Sequence, residues 1–183
     1  YKPETPFMAR NTFFKITEAV LALGYIVLTA WLIFITMHNL KPRPVRYNRI
    51  EQAINSTWAS RNMLILGGML FVFMGMHLFH FWWKMKFVGD PLLAEVEING
   101  EMMHNSYALV KGLFVSHWAY CLLYILGGWL LGLHISHGFW SAFQTIGLNN
   151  KIWRKRLFIV AKVIGWIFTV GFGIIPIYFM IKF

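Results

Sequence analysis

Four apolar runs divide the chain, at residues 19–37, 63–83, 118–140 and 157–181, and the segments between them hold most of the charge. Each run is about 19–25 residues long, enough to cross a hydrocarbon core of roughly 30 Å at about 1.5 Å per residue. Tryptophans gather near the ends of these runs, at Trp31, Trp58, Trp82, Trp83, Trp118, Trp140 and Trp153, where an interfacial aromatic belt would sit. No strand-period alternation and no internal repeat stands out. The pattern predicts an all-α transmembrane helix bundle, one domain over residues 1–183 with spans at about 11–38, 61–86, 116–142 and 155–181. Pro42 and Pro44 should stop the first helix, and Asn55, Ser56 and Thr57 are candidate caps for the next. The long segment 87–116, with Gly89, Pro91 and Gly100, is expected to form a small cap, and Pro176 should kink the last span or loosen its final turns.

Composition agrees with a membrane chain. Of 183 residues, 58% are hydrophobic and only 13% charged, against the far more polar surface that a soluble domain of this size needs. The net charge of +10 does not gather into a nucleic-acid stripe; the basic residues sit between apolar runs, as topology determinants do. The single Cys121 lies within an apolar run, so there is no disulfide framework and a packing role is expected. Lys41, Arg43, Arg46, Arg49 and Arg61 fall on one side, together with Lys151, Arg154, Lys155 and Arg156. Six of the seven acids, Glu4, Glu18, Asp90, Glu95, Glu97 and Glu101, fall on the other. By the positive-inside rule the first and third spans run inward and Tyr1 starts outside, which suggests one further span ahead of it or supplied by another chain.

The candidate chemistry is imidazole at membrane depth. His77 and His80 share a face of the second span, and His134 and His137 share a face of the third. Such residues are costly in lipid and usually face the bundle interior, either ligating a haem iron or hydrogen-bonding to Ser136, Thr29 or a backbone carbonyl. Two pairs on adjacent aromatic-rich spans favour ligation, whereas His38, His104 and His117 fall at interfaces or in loops. Counted from Arg61, His77 lies about 24 Å along its helix, and counted back from Gln144, His134 lies about 15 Å along its own. The offset of about 9 Å suits two irons at different heights better than one shared iron. The depth that matches His134 on the first span falls near Leu28, which cannot ligate.

Four stretches, STWASRNM (56–63), HLFHFWWKMKF (77–87), HGFWSAFQTIGLNNKIW (137–153) and KPRPVRY (41–47), resemble the single-chain, five-helix, di-haem cytochrome b anchor of succinate:quinone oxidoreductases and fumarate reductases. The resemblance covers most of the chain but leaves out the family's first helix. It implies that His77 ligates the distal haem b and His134 the proximal one, with His80 and His137 as second choices. Leu28 stands where the family has the second proximal ligand, so that haem is lost, five-coordinate or completed by another chain. Arg61, Ser60 and Trp140 are the implied cofactor-binding residues, and Glu4 and Glu18 are candidates for quinone proton exchange.

The resemblance further implies an iron–sulfur partner, a flavin-containing subunit that carries the succinate chemistry, and a quinone, menaquinone in many such bacteria. The implied location is a bacterial cytoplasmic membrane rather than the mitochondrial inner membrane, with membrane lipid as surroundings and no nucleic acid partner. A haem-free or haem-poor anchor that only docks the soluble subunits and shapes a quinone pocket is the alternative. A transporter is disfavoured because the spans contain no buried acidic pair.

Overall fold

The computed structural model describes residues 11–39, 58–98, 101–147 and 150–183. Glu4, Pro42, Pro44, Asn55, Ser56, Thr57, Asn149 and the basic run from Lys41 to Arg49 lie outside the described residues. The order of elements is α1 (Thr12–Asn39), α2 (Trp58–Arg61), α3 (Met63–His77), a π-helix (Leu78–Val88), a 3-10 turn (Pro91–Leu93), β1 (Glu95–Ile98), β2 (Glu101–His104), α4 (Ser106–Ser116), α5 (Trp118–Thr145) and α6 (Lys151–Lys182). Four of the helical stretches are long and apolar enough to cross a membrane: Thr12–Asn39, Met63–Val88, Trp118–Thr145 and Ile152–Lys182. The protein is therefore a helical membrane protein with four candidate spans.

The chain divides into two compact units, one holding α1 with the β1–β2 hairpin and the other holding the remaining elements. In the first unit, α1 starts at Asn11, whose side-chain oxygen accepts the Phe13 N–H at 2.9 Å. The hairpin is antiparallel, with Glu95 opposite His104 and Ile98 opposite Glu101. It was not foreseen, although Asn99-Gly100 between two short β-compatible runs is a hairpin signal.

The second unit is built on the pairing of α5 with α6. Small residues at four-residue spacing, Gly128, Gly132 and Ser136 on α5 and Gly165, Thr169 and Gly173 on α6, let the two backbones touch. A methyl group on Gly165 would lie 2.6 Å from the Gly132 carbonyl oxygen, and one on Gly132 would lie 2.5 Å from the Gly165 carbonyl oxygen and overlap the Thr169 hydroxyl. On its other side α5 meets α3, where Gly127 receives the ring of Phe73.

The buried cluster at the far end of the bundle consists of Phe114, Cys121, Tyr124 and Phe179. Cys121 is fully buried and donates to the Phe114 carbonyl at 3.4 Å, in keeping with its expected packing role. Of the stretch 87–116 expected to form one cap, residues 95–104 belong to the first unit; in the second, α4 lies on the Pro91–Leu93 turn and against α5 and α6. Asp90 starts that turn, accepting the Leu92 N–H at 3.0 Å and pairing with Lys84 at 3.2 Å. The backbone hydrogen bond from Leu92, helped by the lysine, holds its carboxyl below the usual range. α6 is helical through Pro176 to Lys182, and the proline ring is fully buried.

Leucine at position 132 or 165 should force the α5–α6 backbones apart and cost about 1–3 kcal/mol, the range for overpacking. Gly171→Ala, on the same helix with open space around it, should be neutral or slightly stabilising. Thermal unfolding of the purified variants in one detergent checks the contrast.

Candidate functional site

The second span changes geometry where its histidines begin. It is α-helical through His77 and π-helical from Leu78 to Val88. In a π-helix successive turns close on residue i+5, and one ring contact has that spacing: Trp82 meets Phe87 at 5.3 Å between centroids, while Trp83, four residues before Phe87, meets the same ring at 4.6 Å. The wide segment ends at Gly89, whose φ of +59° is the left-handed conformation that favours glycine.

His77 sits among three aromatic rings, with centroid separations of 5.2 Å to Phe81, 5.9 Å to Tyr124 and 6.3 Å to Phe73. His80 lies on the adjoining turn. Its Nδ1 is 3.1 Å from the Tyr124 hydroxyl, and its ring meets Tyr120 edge-on at 5.4 Å. Tyr124 is thus the centre of this level: buried, stacked on His80, tilted against His77, and the hydrogen-bond partner of His80. The sequence reading missed it. Its signal was position, since Tyr120 and Tyr124 lie one turn apart on the face of α5 that continues through Gly127 to His134.

His134 forms the second level. Its imidazole Cε1 lies 3.6 Å from where a methyl group on Gly67 would stand. Its Nδ1 is fully buried without a hydrogen-bond partner among the described residues. A buried imidazole nitrogen with no protein partner asks for an explanation, because such groups are almost always satisfied. His137 lies one turn further on α5 and is partly buried.

Two independent cross-contacts fix the height between levels. His77 faces Tyr124 and Gly67 faces His134; each pair of positions along one helix is ten residues apart. Ten residues of helix correspond to about 15 Å. This exceeds the roughly 9 Å expected from counting, because that count set Arg61 and Gln144 at equal depth. Gln144 lies ten residues beyond His134, whereas Arg61 lies only six before Gly67, so α5 continues past the start of the second span. Between the levels, α3 and α5 frame an apolar groove of about 380 Å³ opened by Gly68 and Gly127 and walled by Phe73, Met76 and Leu130.

The remaining candidates are spread out. Ser60 and Arg61 are exposed on α2, which packs against α5. Trp140 meets Phe158 of α6 edge-on at 6.0 Å. Leu28 and Glu18 belong to α1 in the other unit, and Glu4 lies outside the described residues. His117 caps α5, accepting the Ala119 N–H through Nδ1 at 3.2 Å. His38 is exposed near the end of α1, where its ring lies beside Phe34.

A haem brings its own equatorial nitrogens and asks of a protein an axial imidazole in a dry apolar setting. The residues present fit that demand. His134 has a buried nitrogen that no described residue satisfies, beside glycines that leave room, and His77 has an aromatic enclosure and an apolar groove close by. The class this architecture defines is a helical membrane protein with four candidate spans among the described residues and imidazoles at two levels of the bundle. No family model, curated protein or solved structure matches the chain.

Tyr124→Phe removes the partner of His80 while keeping the ring contacts. It should cost about 1 kcal/mol of stability, the usual worth of one such hydrogen bond. Tyr124→Ala, which also empties the cluster, should cost about 3–5 kcal/mol, as large aromatic truncations do. Denaturation midpoints of the two variants in detergent measure the difference.

Proposed function

We propose that the chain is the haem b membrane anchor of a succinate:quinone oxidoreductase, passing electrons between an iron–sulfur partner and a membrane quinone. The observation that carries this reading is the placement of two histidine pairs about 15 Å apart in height within one apolar bundle. Burying imidazoles at two depths costs free energy, and ligation of two separate metal centres offsets that cost where hydrogen bonding to the chain does not. The fragments that resemble the di-haem anchors point the same way.

Haem b held by such imidazoles supplies one-electron transfer inside the hydrocarbon layer. The chain's own part is to bind and orient. Phe73, Phe81 and Tyr124 fix the ring of His77, and Tyr124 fixes the orientation of its neighbour His80 through the hydroxyl. Gly67 gives His134 its space, and the apolar walls of α3 and α5 exclude water and keep the local dielectric low. His77 and His134 are the proposed ligands, with His80 and His137 second. Arg61, Ser60 and Trp140 are assigned to the periphery of the inner level, and Glu4 and Glu18 to quinone protons.

Succinate chemistry belongs in this reading to a flavin-containing subunit, which Lys151, Arg154, Lys155 and Arg156 at the start of α6 help to dock through the iron–sulfur partner. Menaquinone and a bacterial cytoplasmic membrane are the corresponding quinone and location.

The second reading, an anchor that holds less than two haems or none, is favoured by one residue: Leu28 in place of a ligand. A reduced-minus-oxidised spectrum of the purified assembly separates the readings, since bis-histidine haem b gives a sharp band. His77→Ala should lower haem content by about half where two haems are bound and abolish it where one is. Leu28→His should add haem signal if the inner site lacks only its second ligand. Haem content unchanged by His77→Ala, His80→Ala and the double variant would overturn the ligand assignment.

A further inference from the structure

On the face of α5 turned away from its histidines, the close approach of Gly132 and Gly165 leaves a cleft of about 230 Å³ at the α5–α6 seam. Two indoles bound it, Trp129 on α5 and Trp166 on α6, exposed by 46% and 65%. Ser136 and Thr169 place hydroxyls along it, and Lys162 stands at its edge. Lys162 is six residues inside the basic run that ends at Arg156, about 9 Å deeper along the helix.

A lysine at that depth needs its charge answered, and among the described residues no carboxylate pairs with it. No Asp or Glu occurs after Glu101, so none of α4, α5 or α6 carries one. Among the described elements of its own unit, α5 and α4 pack on α6, and both are without a carboxylate to meet Lys162. The contact it does make is with a ring: Nζ lies 4.5 Å from the centroid of Phe158, one turn back. Helical side chains lean toward the N-terminus, which on α6 is the basic end, so the ammonium reaches back toward that surface. It lies above the cleft, with an apolar channel running deeper into the membrane beneath it.

We propose that this cleft binds one anionic phospholipid, with the phosphate on Lys162 and an acyl chain lying over Gly132 and Gly165 between Trp129 and Trp166. The charge requirement selects the occupant. A second copy of the chain would bring further lysine and arginine to this end and no acid from α4, α5 or α6, whereas an anionic lipid brings the missing charge and the apolar tail together. This inference goes beyond the electron-transfer reading and does not rest on it.

The test uses the full protein, with any subunits that copurify, in phosphatidylcholine vesicles containing a minor fraction of either dibrominated phosphatidylglycerol or dibrominated phosphatidylcholine. Bromine quenches indole fluorescence on contact, and the difference between the native protein and Trp166→Phe isolates the cleft. Phosphatidylglycerol should occupy the site about fivefold more favourably than phosphatidylcholine, the size of one lysine–phosphate contact at a membrane surface. Lys162→Gln should bring the preference to unity, and Lys162→Arg should keep it. Equal quenching by the two lipids in the native protein overturns the proposal without recourse to a variant. So does a preference that survives Lys162→Gln. Protection of Trp166 from both brominated lipids would mean that protein covers the cleft, and also overturns it. None of these outcomes depends on haem, so failure here leaves the proposed function standing and the converse also holds.

Discussion

The approach of α5 to α6 across glycine is the contact on which the bundle depends. Within lipid, apolar side chains gain little by leaving the solvent for one another, so helices associate where backbones can come close enough for dense van der Waals contact. Gly132 and Gly165 allow that approach, and a methyl group at either would meet a carbonyl oxygen of the other helix. With one face of α5 committed to α6, its opposite face is left for α3, where Gly127 admits the Phe73 ring. The face that carries Tyr124, Gly127 and His134 is thereby turned toward the second span. The heights of the imidazoles follow from this pairing.

Much of this was legible in the chain. The apolar runs located the spans because length and hydropathy suffice for a helix in lipid, where every backbone group must be satisfied internally. The shared face of His134 and Gly127 was also implicit in helical periodicity. Three features were not read. The hairpin 95–104 was not read, since Glu95, Glu97 and Glu101 interrupt the apolar alternation that marks a strand. The π-helix left no mark in hydropathy, because lengthening the hydrogen-bond ladder by one residue does not change which side chains are apolar. The depth of the histidines was misjudged because interfacial residues such as Arg61 and Gln144 need not lie level; only contacts between helices set a common scale.

Tyr124 shows how a site can be centred on a residue that carries no motif. It packs with Phe73, Phe81 and Phe114, lies beside His77 and meets His80 through its hydroxyl. A hydroxyl at this depth must find a partner, and the imidazole is the one available; the pair is mutually satisfied. His134, by contrast, keeps a buried nitrogen without a described partner. One level is therefore closed by a hydrogen bond between the chain's own groups, and the other holds an imidazole nitrogen that no described residue meets.

The two-level arrangement stands or falls on the register between α3 and α5, and disulfide trapping in native membranes measures that register directly. In a Cys121→Ser background, the pair Gly67→Cys with His134→Cys should crosslink under mild oxidation, and the pair Gly67→Cys with Gln144→Cys should not, since about 15 Å of helix separates them. Efficient trapping of the second pair and none of the first would place both histidine pairs at one height and contradict the two-centre reading.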